Sequence, residues 1–75
     1  MEDSVTLARW VAKDKDGGDV NMHCTKPFRY KCENIEYWID GNGAYKLAPS
    51  FVNKLFPDLT WEDEPVEIEI TVKRK

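Results

Sequence analysis

The sequence lacks what several large functional classes require. No run of about 18 apolar residues occurs in its 75 positions, so nothing reads as a membrane-spanning helix. Met1-Glu2-Asp3-Ser4 is acidic and leads into a mixed stretch, whereas a secretory signal needs a basic start and a longer apolar run. Cysteine is scarce. Only Cys24 and Cys32 are present, where small secreted domains usually carry about four to eight. The expectation is a chain with free thiols in a reducing, cytosolic compartment. A Cys24–Cys32 bridge across a hairpin is the alternative.

Catalytic and metal-binding patterns are equally thin. His23 is the sole histidine, so His23, Cys24 and Cys32 are the only soft ligands. A structural zinc site usually takes four, and on a strand the adjacent His23 and Cys24 point to opposite faces. Asp14, Asp16 and Asp19 share a glycine-containing loop. Counting from Asp14, the sixth position is Asp19 and the twelfth is Thr25, where an EF-hand needs glycine and a carboxylate. A nucleophile would have to recruit His23, and nothing brings Ser4 or Ser50 to it. No glycine motif cradles a phosphate. The chain is read as non-enzymatic, with no cofactor and no metal.

The charge balance narrows the partners. Net charge is −3, and Asp58, Glu62, Asp63, Glu64, Glu67 and Glu69 follow one another with no base among them. A duplex-binding domain is usually strongly basic on one face, which argues against duplex nucleic acid. An acidic surface suits a partner with a basic surface.

What is present is a small globular composition, 41% hydrophobic and 33% charged, read as one domain over residues 1–75. Period-two alternation dominates. Val66, Ile68, Ile70 and Val72 oppose Glu67, Glu69, Thr71 and Lys73, which predicts a strand with one buried face. Val5 to Lys13 is apolar on both parities, as a central strand is. The Asp14–Asp19 segment is a tight turn, and Val20 to Thr25 is the return strand. Phe28 to Cys32 reads as a short edge strand and Ile35 to Asp40 as another. Gly41-Asn42-Gly43 is a second tight turn, from which Ala44 to Ala48 returns. Ser50 is placed as the N-cap of a short helix. Phe51 and Leu55 share its face, and Pro57 stops it near Phe56. The fold class is α+β: a small, mostly antiparallel sheet of five or six short strands, meander or barrel-like, covered by one short helix.

A set of these residues carries a resemblance. Trp10-Val-Ala-x-Asp14-x-Asp16-Gly17, Lys26-Pro27, Tyr37-Trp38 and Leu55-Phe56-Pro57-x-Leu59-Thr60-Trp61-Glu62-x-x-Pro65 are similar to a group of small uncharacterised phage, prophage and gut-bacterial proteins. The likeness covers most of the chain and is most specific from Leu55 to Pro65. It implies a phage or mobile-element origin and no particular chemistry. Small proteins of that origin often bind and block a host protein, including host immune machinery.

The aromatics point to where such binding would occur. There are three each of Trp, Tyr and Phe, more than a core of this size needs. Phe51, Phe56 and Trp61 are expected to pack the helix onto the sheet. Trp38 shares parity with Glu36 and Asp40. It is therefore expected outside, either against a loop or as an anchor for a partner. The first functional reading is occlusion of a host protein by Trp38, Tyr30, Glu62, Asp63 and Glu64. The second uses the interleaved Phe28, Arg29, Tyr30 and Lys31 to hold a nucleotide or a single strand. With little room for a pocket in one protomer, that binder would be a homo-oligomer with its site between subunits. A virion structural component is a third reading.

Overall fold

The computed structural model describes residues 4–15 and 18–74. Six strands and one helix follow one another as β1 (Ser4–Lys13), β2 (Val20–His23), β3 (Phe28–Cys32), β4 (Ile35–Ile39), β5 (Ala44–Lys46), α1 (Pro49–Leu55) and β6 (Val66–Lys73). The fold is α+β and antiparallel. Two open sheets replace a barrel: a four-stranded sheet in the order β5-β2-β1-β6, and the separate hairpin β3-β4.

β1 is central, as its two apolar faces require. β2 pairs with its C-terminal part, Trp10 to Lys13, and β6 runs along Ser4 to Val11. The register follows from the alternation, because a slip by one residue would turn each apolar side chain to the other face. Val5 faces Val72, Leu7 faces Ile70 and Val11 faces Val66. On the opposite face the Thr6 and Thr71 hydroxyls lie 3.2 Å apart. The expected buried face of β6 is only partly buried: Ile68 and Ile70 are half-buried, while Val66 and Val72 are exposed.

The β1–β2 turn is closed by the Asp14 N–H donating to the Asp19 carbonyl at 2.9 Å, and Gly18 takes a φ of 66° that a side chain would strain. Asp16 and Gly17 of the expected turn lie outside the described residues.

The second expected hairpin is corrected. β5 does not return along β4 but adds to β2, with Met22 opposite Tyr45 and His23 opposite Ala44. The cause is Asp40, which precedes the Gly41-Asn42-Gly43 segment. One of its carboxylate oxygens accepts the Asn42 N–H at 2.7 Å and the other lies 3.0 Å from His23 Nδ1 on β2, so the chain is drawn across to the first sheet.

The helix is also corrected. Ala48, not Ser50, is its N-cap, since Pro49 occupies the first helical position with its φ preset. Pro57 does stop it: Phe56 closes the helix by donating its N–H to Val52 at 2.7 Å. No residue of α1 is buried, so it is not a lid on the sheet. The Phe51 and Phe56 rings pack on each other, 6.3 Å apart. What is buried is small: Val11, Ala12, Val20, Trp38 and His23, with Pro27 and Pro65. The molecule is correspondingly long, 51 × 26 × 16 Å.

Candidate functional site

The site is the β3–β4 hairpin, and its two faces do different work. Strand alternation places Phe28, Tyr30, Cys32, Ile35, Tyr37 and Ile39 on one face, and Arg29, Lys31, Glu36 and Trp38 on the other. The second face holds the hairpin to the rest of the protein. Trp38 is 8% exposed, which corrects its expected place outside. Its parity relative to Tyr37 and Ile39 is as read from the sequence. The buried side of the hairpin is the other one, because polar groups on both sides of the joint fix it there.

Asp14, at the end of β1, is the first of these groups. One of its carboxylate oxygens accepts the Trp38 backbone N–H and the other the Asn21 side-chain amide, both at 3.0 Å. Arg29 is the second. Its guanidinium lies 4.7 Å from the Trp38 ring centre and 5.0 Å from that of Trp61, and it donates to the Trp61 carbonyl at 2.8 Å. Lys15 covers Trp61 and Lys26 covers Trp10 at 4.9 and 5.4 Å. Each tryptophan therefore lies beneath a cation, a contact that strengthens as the pair is desolvated. His23 and Asp40 complete the joint with both side chains almost wholly enclosed. Burial by itself pushes the Asp40 carboxyl up. The Asn42 N–H, His23 and the Gly43 backbone more than reverse this, and its pKa lies below the ordinary 3.8. His23 Nε2 is buried without a hydrogen-bond partner among the described residues.

The outer face is open. Phe28 is 57% exposed and Ile35, Tyr30 and Tyr37 are also exposed. The Tyr30 and Tyr37 rings are opposite each other, 5.3 Å between centres. At its base Phe28, Arg29, Trp38, Lys26, Pro27 and Glu64 line a shallow hollow of about 350 Å³. Residues from both sequence readings thus meet here. Glu62 is exposed beside it in sequence. Asp63 is occupied in its own loop, where its carboxylate accepts the Thr60 N–H at 2.8 Å. Lys31 lies 3.6 Å from Glu36 on the inner face. Ile35 and Tyr37 were missed as surface residues, since hydrophobicity alone assigns them to a core. Both cysteines are free thiols, Cys24 half-buried and Cys32 exposed. No group of three potential metal ligands occurs among the described residues. Among them, too, no helix is long and apolar enough to cross a membrane. Comparison with family models, curated proteins and solved structures finds no match to this chain.

Proposed function

We propose that the chain is a non-enzymatic binding protein of phage or mobile-element origin, which inhibits or modulates a host protein by covering part of its surface. The observation that carries this reading is the outer face of β3–β4. Four large apolar or aromatic side chains, Phe28, Tyr30, Ile35 and Tyr37, stand side by side in solvent, while the opposite face of the same strands anchors the hairpin. Rigidly held exposed aromatics are the usual hot spots of protein interfaces. The partner suited to them presents an apolar recess edged by basic groups. Glu62 and Glu64 supply the complementary charge, on a loop that Arg29 ties to the hairpin through Trp61.

The same alternation weakens the nucleotide or single-strand reading. It sets Phe28 and Tyr30 on one face and the exposed cations Arg29 and Lys31 on the other, and Arg29 is already engaged by the Trp38 and Trp61 rings. The origin rests on the sequence resemblance alone.

The test is capture of a target from host lysate by immobilised protein. Phe28→Ala with Tyr37→Ala is expected to reduce capture about 30-fold or more, as loss of an aromatic hot spot does. Glu62→Lys with Glu64→Lys is expected to weaken it in low salt more than in high salt. Circular dichroism should show all variants folded. Undiminished capture by the Phe28/Tyr37 variant would overturn the reading.

A further inference from the structure

We infer that the protein forms a two-fold symmetric dimer by antiparallel pairing of β6 with β6 of a second copy, centred on Ile70. This does not rest on the proposed function, and it uses a different surface.

β6 is the last strand of its sheet. Among the described residues only β1 pairs with it, over Ser4 to Val11. Its other edge is eight residues long and carries neither proline nor a bulge, two of the means of blunting an edge, while the charges of Glu67, Glu69 and Lys73 stand along it. Before Trp10, β1 has no partner on its β2 side among the described residues, so the two strands project as a ribbon from Ser4 to Arg9. One face of that ribbon is apolar, with Val5, Leu7, Ile70 and Val72, and its outer pair, Val5 and Val72, are both 58% exposed. A two-stranded ribbon is marginal by itself.

The charges along β6 suit a second copy of the same strand. Glu67 and Glu69 stand in its first half, and Lys73 and Arg74 at its end. Antiparallel pairing about Ile70 sets Glu67 against Lys73 of the second copy and Glu69 against its Thr71. Ile68 then faces Val72, and Ile70 faces Ile70. By symmetry each contact occurs twice, apart from the central one, and opposite charges directly across strands are favourable. Centring the pair on Glu69 instead would set Glu69 against itself, which is unfavourable. A shift by one residue to an odd register would turn the apolar faces apart.

The dimer joins the two sheets into one, β5-β2-β1-β6 followed by its symmetry mate, with a continuous apolar face across the centre.

The test is sedimentation equilibrium of the full chain and of two charge variants, Glu67→Lys and Lys73→Glu, with circular dichroism as the check on folding. The wild type is expected to be a dimer at micromolar concentration. Each variant alone sets like charges together twice and is expected to dissociate about tenfold more readily or further. Mixed in equal amounts, the two variants are expected to pair with each other, because each introduced charge then meets its opposite. A wild type that stays monomeric at 100-fold higher concentration than this would overturn the proposal. So would variants that dimerise alone as well as they do mixed.

Discussion

Burial alone would push the Asp40 carboxyl toward its neutral form. The Asn42 N–H and His23 hold it ionised instead, and the same contacts steer β5 onto β2. A carboxyl whose folded pKa is below its unfolded value contributes stability that is present above about pH 4 to 5 and is lost as pH falls through the folded pKa. Urea unfolding between pH 2 and 7 should therefore show stability declining below about pH 4 in the wild type. Asp40→Asn is expected to cost about 1–2 kcal/mol at pH 7, and the difference from wild type should shrink as the solution is acidified. A constant difference across that range would contradict the assignment. Neither role of Asp40 can be read from the sequence, where it looks like the polar residue that precedes a glycine turn. Its partner His23 is 17 positions away.

Among the elements, the β3–β4 hairpin combines a good register with a poor turn. Its connection is the two residues Glu33 and Asn34, and Glu33 sits at a φ of 56°, where a side chain is strained and glycine is at ease. Glu33→Gly is expected to raise stability by about 0.5–1 kcal/mol, seen as a melting temperature higher by a few degrees, with the open face of the hairpin intact. The strands themselves were legible because alternation is local. β1, β2, β3, β4 and β6 fall where period-two patterning places them, and Pro57 ends the helix where proline chemistry requires. The pairing of β5 was not legible, since Ala44 to Lys46 would suit either neighbour. The N-cap was misplaced because Ser50 is a good cap and Pro49 a better first residue. The inside of the hairpin was misjudged for a physical reason. Counting apolar residues favours Phe28, Tyr30, Ile35 and Tyr37, but Trp38 is held inward by a backbone hydrogen bond and a guanidinium that the count ignores.

For the molecule as a whole, the joint between the sheets matters more than either core. It is built from the carboxylates of Asp14 and Asp40 and from the reach of Arg29 to Trp61, with little aliphatic packing. Removing one acceptor should uncouple the sheets without dissolving them. Asp14→Ala leaves the Trp38 N–H without its acceptor at a buried position, a loss of about 2 kcal/mol. Hydrogen exchange is expected to quicken across β3 and β4 while the β1–β6 amides keep their protection. Uniform quickening in all strands would show instead that the protein unfolds as one unit.

The alternation within β3 and β4 has a consequence for how such a protein can change over generations. Arg29 and Trp38 hold the hairpin to the fold, while their sequence neighbours Phe28, Tyr30 and Tyr37 stand on its open face. If the proposed function holds, every second codon of the hairpin is free to follow a changing target while the intervening ones stay fixed. A lineage could exchange its specificity by substitutions at alternate positions of ten residues of strand without passing through an unfolded ancestor.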